Sequence, residues 1–398
     1  MSQTLQPISV DITIVGGGIA GLWLLNRLRN LGYNAILFEQ QALGSGQTIA
    51  SQGMIHGGMK YTLGGVLPKI SETIAQMPKC WRSCLAGQGD VDLSRAQILS
   101  DHVYLWSTAN VGSKLTTFFA SRAIRGRINA VAKEKIPPVF QNKAFNGKLY
   151  RLQEIVVDVP SVVSTLAENY SEAIFKIDWR HANFVRANNG GVKALQIQHN
   201  GQLLSIQSQR FIFAAGEGNE KLLQQLSINQ PKMQRRPLHQ VLLKHDYPHP
   251  LYAHCIGTSS SPRLTVSSHA TPDGKWIWYL GGSLATKGVD QTEPELIITA
   301  KEEIKALFSW IDFSKAQWGC LRINRAEPKQ NDFMLPGSAY AKLCGNVIVA
   351  WPTKLSLSPD LANKVVDLLR QDQISPKYPG LNLFAALPRP ELAQAFLS

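Results

Sequence analysis

Residues 10–39, VDITIVGGGIAGLWLLNRLRNLGYNAILFE, decide the fold because they have the pattern of a complete βαβ unit. The apolar run 11–15 contains β-branched residues, which is typical of a strand buried on both faces in a parallel sheet. The next residues keep one apolar face at helical spacing, and Gly32 is a suitable C-terminal cap. Residues 33–38 then form a second strand. The order strand, helix, strand is the framework of a nucleotide-binding domain.

Three glycines fall where the first strand turns into the helix. Gly16 suits a tight turn, Gly18 close approach of the backbone to a pyrophosphate, and Gly21 close packing of helix on strand. Glu39 ends the second strand, at the spacing from which a carboxylate accepts hydrogen bonds from ribose hydroxyls. The unit therefore predicts dinucleotide binding, with contacts at Gly16, Gly18, Ile19, Ala20, Gly21, Glu39 and Gln40.

The chain has 398 residues, of which 44% are hydrophobic, so it is long enough for a large core and favours two domains. The N-terminal residues lack a basic segment followed by an apolar run, and no stretch approaches the length of a membrane span. We therefore expect a cytoplasmic protein, with membrane association left open by its charge.

The five cysteines form no CxxC pair, and Cys80 and Cys84, four apart, have no histidine cluster nearby. We expect reduced, mostly buried thiols and no metal centre.

The net charge is +13, and the segment 114–151 carries nine lysines and arginines against one acid, Glu134. Such a face attracts an anionic substrate, acidic lipid headgroups or nucleic acid, and a solvated basic surface without a partner is equally compatible with it. Nucleic acid is the least favoured of these partners.

Residues 44–61, GSGQTIASQGMIHGGMKY, have too many small residues for a helix and no alternation typical of a strand. Glycine and serine at this density let backbone amides approach phosphate and ring atoms closely. A flexible linker is the alternative, but linkers rarely carry apolar residues such as Met54 and Ile55. We therefore predict a loop packed on a ligand, with contacts at Thr48, Ser51, Gln52, Gly53 and Met54.

Further elements follow along the chain. Helical patterns within 66–150, including Ile128 and Val131, indicate an excursion from the nucleotide domain. Ser161 is a candidate helix cap. The short strand-like runs in 231–330 predict an antiparallel sheet. After the apolar strand 346–351, Ser358-Pro359-Asp360 predicts a helix start with Ser358 as the cap and Pro359 at the first helical position.

Four segments together resemble the D-amino-acid-oxidase-type superfamily of FAD-dependent oxidoreductases: the N-terminal unit with Glu39, GSGQTIASQGMIHGG, RFIFAAG, and VIVAWPTKLSLSPDLA. Within it, IHGG followed by Tyr61 is most similar to glycerol-3-phosphate dehydrogenases and then to L-2-hydroxyglutarate dehydrogenases. Trp351-Pro352 departs from the glycines of that pattern.

The resemblance implies an α/β fold, with a Rossmann-like FAD-binding domain of the GR2 type and an inserted, mainly antiparallel substrate domain. The expected division is 1–80, 151–230 and 331–375 for FAD, 81–150 and 231–330 for the substrate domain, and 376–398 as a C-terminal tail. Because no cysteine lies beside His56, FAD is expected to be bound non-covalently. The resemblance adds cofactor contacts at Ala182, Ala215, Gly216, Lys354, Leu355 and Ser356.

Positive charge is needed at two places in such an enzyme. Hydride transfer to a flavin builds negative charge around N1 and the C2 carbonyl, and Lys354 together with the following helix is placed to stabilise it. Arg322 matches the position at which the superfamily holds a substrate carboxylate or phosphate, and Arg325 is a second candidate. The alternative role for one of these arginines is an ion pair with Glu327.

His56 is the candidate base for a hydroxyl proton, and a neutral histidine that orients the loop is an equal alternative. Tyr61 and His239 are predicted substrate contacts, although His239, His254 and His269 individually suit packing.

The sequence thus predicts an FAD-dependent dehydrogenase or oxidase that removes hydride from a C–H bond beside a hydroxyl or amine in a small anionic substrate, with oxygen or a quinone as electron acceptor. One alternative is an amino-group oxidase acting on an amino acid or a modified tRNA nucleoside. The other is a non-catalytic protein that keeps FAD as a structural element.

Overall fold

The computed structural model describes residues 7–58, 71–108, 128–187, 190–257, 261–329, 337–379, 387–394 and 396. Tyr61 and the first part of the basic segment, up to residue 127, lie outside the described residues. The helices are α1 (Ile19–Asn30), α2 (Ser71–Leu85), α3 (Val159–Asn169), α4 (Gly218–Gln225), α5 (Ser283–Lys287), α6 (Glu293–Leu307) and α7 (Ser358–Gln371). The strands are β1 (Ile8–Val15), β2 (Ala35–Glu39), β3 (Met54–Ile55), β4 (Ile98–Ser100), β5 (Val103–Ser107), β6 (Ile128–Ala130), β7 (Lys148–Leu152), β8 (Ile155–Val157), β9 (Ile174–Lys176), β10 (Ala182–Arg186), β11 (Val192–His199), β12 (Gln202–Phe213), β13 (Met233–His245), β14 (Tyr252–Ile256), β15 (Leu264–Ala270), β16 (Trp276–Gly281), β17 (Gln317–Pro328), β18 (Tyr340–Cys344) and β19 (Val347–Trp351).

The first sheet is built around the N-terminal βαβ unit. Its strands run in the order β10-β11-β12-β1-β2-β9, and β12 also pairs with β19, which pairs with β18. The strands β1, β2, β9, the end of β12 and β19 are parallel to their neighbours in this group, as the uninterrupted apolar runs predict. The carboxyl ends of β1, β2 and β12 therefore meet at one edge, where ligands bind in open parallel sheets.

Helices cover one face of this sheet because each presents an apolar stripe to it. Leu25 of α1, Val162 of α3 and Val365 of α7 belong to one buried cluster with Ile14 of β1. The opposite face carries a second cluster that includes Phe213 of β12 and Leu222 of α4. Because both faces of the sheet are covered, β1 and β2 are buried along almost their whole length.

The second sheet is mainly antiparallel, with the order β17-β13-β16-β15-β14-β5-β7-β6. Only the β14–β5 pair is parallel among its described strands. One face packs on α6, where Leu243 and Trp278 share a cluster with Ile304. The other face turns toward the first sheet, so side chains alternate along each strand between the helical layer and the space between the sheets.

Several element predictions need correction. Asp158, not Ser161, caps α3: its side chain accepts a hydrogen bond from the Ser161 amide at 2.9 Å. Residues 128–130 form β6 rather than a helix, because they pair with β7 of the second sheet. Leu357 precedes α7 as its N-cap, and Ser358 is the first residue of that helix.

The described part of the C-terminal tail is bound to the first sheet. The Lys176 amide donates to the Pro388 carbonyl at 2.7 Å, and the Leu43 amide donates to the Glu391 carbonyl at 2.7 Å. The guanidinium carbon of Arg389 lies 4.2 Å from the centre of the Phe175 ring. This segment therefore fixes the loop that follows β2.

The boundaries proposed for the two domains stay a prediction. The second sheet takes strands from both segments assigned to the substrate domain, whereas Trp81, Val91 and Leu93 of the first segment pack in the core beside α1. Within the described ranges, no helix has both the length and the apolar character of a membrane span.

Candidate functional site

A cavity of ≈ 890 Å³ lies between the two sheets, at the carboxyl ends of β1, β2 and β12. Most of the residues that the sequence predicts as site residues line it: Gly16, Gly18, Ile19, Ala20, Glu39, Gln40, Thr48, Ser51, Gln52, Met54, His56, Ala215, Gly216, Arg322, Arg325, Lys354, Leu355 and Ser356. Four predicted contacts, Gly21, Gly53, Ala182 and His239, are not part of its lining.

The three glycines of the first turn differ in what requires them. A Cβ on Gly21 would lie 1.8 Å from the Gly16 carbonyl oxygen, and one on Gly16 would lie 2.6 Å from Cα of Ala215, so the fold itself needs both. A Cβ on Gly18 would meet only the Thr48 hydroxyl, at 3.1 Å, and Gly18 has an extended backbone that any residue adopts. Gly53, with φ of 70°, is structural as well, since a Cβ there would lie 2.1 Å from the Val157 carbonyl oxygen.

The carboxylate of Glu39 holds the loops around the predicted nucleotide. It accepts hydrogen bonds from the Gly17 amide at 2.5 Å and from the Gln41 amide at 2.7 Å. Each carboxylate oxygen has two acceptor positions, so capacity for ribose hydroxyls remains. Thr48 contributes in a similar way, because its hydroxyl accepts from the Ile19 amide at 3.1 Å.

The segment after β19 closes the cavity. Trp351 donates from its indole nitrogen to the Gly216 carbonyl at 3.0 Å, which joins two lining loops. Thr353 has φ of 61°, an uncommon conformation for a β-branched residue and one that is typical of functional sites. The hydroxyl of Ser356 is buried and has no partner among the described residues.

These features fit FAD. The Gly18 backbone leaves space beside the N-terminus of α1, Glu39 is placed for a ribose, and Ser356 offers a buried hydroxyl that needs a partner. Ile177 and Trp179 line the cavity. Ala182 was predicted to contact the cofactor but is not part of the lining. Ala182 itself belongs to β10, which lies at the opposite end of the strand order from β9.

We expect Gly18→Ala to weaken FAD binding by at least about tenfold, or about 1.4 kcal/mol. The added methyl group occupies cofactor space without meeting protein backbone. Fluorescence titration of cofactor-free protein with FAD measures the affinity. The melting temperature of the cofactor-free Gly18→Ala variant should stay unchanged, whereas Gly21→Ala should lower it. Parental FAD affinity in Gly18→Ala would contradict the assignment.

The arginines of β17 point to opposite sides of the second sheet. In the register of β13 and β17, His239 faces Arg322 and Arg236 faces Arg325. Both arginines line the cavity, but side chains alternate along a strand, so that of Arg325 shares a face with Leu238 and Gln240. The side chain of Arg322 lies on the other face, with His239. Arg322 is exposed, and its guanidinium donates to the Val289 carbonyl.

Arg236 has a partner that the sequence analysis gave to the other arginines. Its guanidinium makes a two-point ion pair with Glu327, at 2.5 and 2.8 Å, and the Glu327 side chain is 1% exposed. Arg325 donates from Nε to the Arg236 carbonyl at 3.2 Å. The ion pair predicted for Arg322 or Arg325 with Glu327 is therefore made by Arg236.

The histidines of the second sheet have different surroundings. His239 is buried and contacts the Gly288 carbonyl at 3.0 Å through Nδ1. Burial lowers the pKa of His269 to about 4, so this ring is neutral near pH 7; it lies 4.5 Å from the Tyr279 ring. His254 instead faces the cavity wall, with its ring centre 5.6 Å from that of His56.

His56 lines the cavity and contacts a buried carboxylate. Its Nδ1 lies 3.3 Å from Oε2 of Glu154, whose side chain is 3% exposed, and Oε1 of Glu154 accepts from the Gly57 amide at 2.9 Å. Together with His254, these residues place three potential ligand atoms within 4.8 Å of one another. The sequence analysis predicts no metal centre and did not bring these three residues together.

The sequence analysis missed several lining residues because they carry no motif. They include Gln47, Trp179, Lys221, Arg236, Leu238, Gln240, Ile323 and Phe396. Gln47 accepts a hydrogen bond from the Ala326 amide at 3.1 Å and so connects the glycine-rich loop with β17. Only the pairing of distant segments brings these residues to the cavity.

Comparisons with known proteins identify the family to which the chain is similar. The model of the family described as FAD-dependent oxidoreductase matches residues 11–350. A probable FAD-dependent oxidoreductase of Pseudomonas aeruginosa is 45% identical over 390 residues, covering 98% of this chain and 97% of the relative. The crystal structure of an FAD-dependent oxidoreductase from the same organism has a TM-score of 0.84 at 41% identity and covers 98% of both chains.

Two more distant structures share the fold. Glycine oxidase from Geobacillus kaustophilus has a TM-score of 0.65 at 15% identity, covering 96% of this chain and 99% of its own. L-α-glycerophosphate oxidase from Mycoplasma pneumoniae, solved with FAD bound, has a TM-score of 0.63 at 14% identity, covering 94% of this chain and 97% of its own.

Proposed function

Since the chain belongs to the FAD-dependent oxidoreductase family, we propose that it oxidises a C–H bond next to a hydroxyl group in a small anionic substrate. The substrate class is a 2-hydroxy acid or a compound similar to glycerol 3-phosphate. The chemistry that FAD supplies when bound is acceptance of the hydride. The residues of this chain bind the substrate, orient it and accept the hydroxyl proton.

The observation that carries the proposal is the contact between His56 and Glu154. A carboxylate beside Nδ1 favours the tautomer in which Nδ1 carries the proton and Nε2 has the lone pair. A hydroxyl substrate needs such an acceptor, because its O–H proton must leave as the hydride does. Since His56 lines the cavity, its ring has access to a substrate there.

The charge of the cavity supports an anionic substrate. Five lining residues are basic, Lys221, Arg236, Arg322, Arg325 and Lys354, against two acids, Glu39 and Glu217. Arg236 is paired with Glu327. A guanidinium binds a carboxylate or a phosphate through two parallel N–H groups. We therefore propose Arg325 as the anchor of the substrate anion, in place of Arg322.

Amine oxidation is the second candidate. The fold occurs both in a glycine oxidase and in an L-α-glycerophosphate oxidase, so it is compatible with either reaction. A neutral amine loses hydride without a strong base, so it needs His56 less than a hydroxyl does. The segment Ile55-His56-Gly57-Gly58 favours the hydroxyl reaction through its similarity to glycerol-3-phosphate dehydrogenases.

Anaerobic screening decides between these reactions. The holoenzyme is mixed with 2-hydroxy acids, glycerol 3-phosphate and amino acids, and loss of flavin absorbance is recorded. We expect bleaching by an anionic hydroxyl compound. Bleaching by amino acids alone would favour amine oxidation, and the absence of bleaching throughout would favour a structural cofactor. Retained RNA with salt-sensitive affinity would support a tRNA substrate.

Oxygen and a quinone are the two electron acceptors that we propose. Mixing the substrate-reduced enzyme with aerated buffer and, separately, with a soluble quinone compares the two rates of reoxidation. Binding to vesicles that contain acidic lipids tests the peripheral membrane contact that the net charge of +13 suggests.

A further inference from the structure

Three side chains from distant parts of the sequence form one polar cluster behind the cavity wall. His56 follows β3, Glu154 precedes β8, and His254 lies on β14. Their ligand atoms lie within 4.8 Å of one another. Glu154 and His254 are buried, while the His56 side chain is 14% exposed on the cavity side.

Two imidazoles and one carboxylate are a common ligand set for a divalent transition metal. At bond lengths of about 2.0–2.1 Å, two ligand atoms of a tetrahedral zinc ion are about 3.4 Å apart. The separation of 3.3 Å between Nδ1 of His56 and Oε2 of Glu154 agrees with this value. His254 needs only a side-chain adjustment to reach the same centre, because its nitrogen is within 4.8 Å of both atoms.

Two ligands also have the outer hydrogen bonds that metal ligands usually make. The Thr265 hydroxyl lies 3.0 Å from Nδ1 of His254, an arrangement in which Nε2 is the ligand nitrogen. The Gly57 amide donates to Oε1 of Glu154, an arrangement in which Oε2 is the ligand oxygen. Both hydrogen bonds restrict the orientation of their ligands before an ion arrives.

We propose that His56, Glu154 and His254 bind one Zn²⁺ ion, with an open coordination position toward the cavity. Zinc takes three protein ligands and one further ligand in such sites. The set contributes one negative charge, which lowers the cost of a divalent cation in a buried position. The bound ion occupies Nδ1 of His56, so zinc is expected to inhibit substrate oxidation; this consequence alone rests on the proposed function.

Isothermal titration calorimetry of the chelator-treated holoenzyme with Zn²⁺ tests the site. We expect one saturable site per chain. Glu154→Gln and His254→Gln should each weaken binding by at least about 100-fold, because even loss of an outer partner costs about 10–100-fold. Thr265→Val should weaken it by about 10–100-fold. His239→Gln is the control, since that buried histidine faces the helical layer, and it should bind zinc as the parent does.

X-ray absorption at the zinc edge of the unmodified protein gives a second measurement that does not depend on folded variants. Two imidazole ligands and one carboxylate are expected. The proposal is overturned if zinc binds with equal affinity to the parent, Glu154→Gln and His254→Gln proteins, or if no stoichiometric site is found. In that case the cluster is only a hydrogen-bonded pair beside a histidine. Because zinc binding is measured without substrate, its failure leaves the proposed oxidation untouched.

Discussion

Replacing His56 with glutamine is expected to slow the bleaching of the flavin by a hydroxyl substrate by about 10²–10⁴-fold, the usual contribution of a general base. Glutamine keeps hydrogen-bonding capacity beside Glu154 but does not accept a proton near pH 7. Anaerobic stopped-flow absorbance measures the rate. With an amine substrate, the same variant should reduce the bleaching rate much less. The ratio of the rate losses with the two substrates therefore distinguishes hydroxyl oxidation from amine oxidation.

His239→Gln is the matched control for this variant. His239 is also a buried histidine with a hydrogen bond, but it lies on the side of β13 that faces the helical layer. Its replacement should leave the bleaching rate within a few fold of the parent. If His56→Gln bleaches as fast as the control with a hydroxyl substrate, His56 only orients its loop, as the alternative interpretation holds.

Arg325→Ala is expected to lower kcat/KM for an anionic substrate by about 30–150-fold, which corresponds to about 2–3 kcal/mol for a hydrogen bond between charged groups. The guanidinium lies on the cavity side of β17, and its Nε–H already donates to the Arg236 carbonyl, which orients the fork. Steady-state kinetics with the substrate found by screening measure the loss. Arg325→Lys should recover part of the affinity because lysine keeps the charge but not the planar pair of donors.

Arg322→Ala separates this assignment from the one that the sequence suggests. Arg322 has the same chemistry three residues away, but its guanidinium is exposed and donates to the Val289 carbonyl. We expect its removal to change kcat/KM by less than about threefold, in line with the small effects of exposed charges. A larger loss in Arg322→Ala than in Arg325→Ala would restore Arg322 as the anchor.

Six of the seven contacts predicted from the N-terminal unit line the cavity, and Gly21 does not. Turn, helix cap and acidic residue all lie within the 30 residues of 10–39, so the chain has little freedom to place them differently. The FAD-dependent class and the combination of parallel and antiparallel sheets are confirmed. Ala182 was not placed at the cavity, because strand position in a sheet depends on long-range pairing.

The sequence by itself determined a dinucleotide-binding βαβ unit, because glycines that permit close backbone contacts and an acid at the next strand end act over short distances. Only the tertiary structure decided which arginine shares the sheet face of Leu238 and Gln240, since a one-residue change along a strand turns a side chain to the opposite face and the register comes from β13. Tertiary structure also joined His56 with Glu154 and His254, which lie 98 and 198 positions further along the chain. No local pattern encodes such contacts, because the pairing of β3 with β8 and the packing of these strands on β14 bring the residues together.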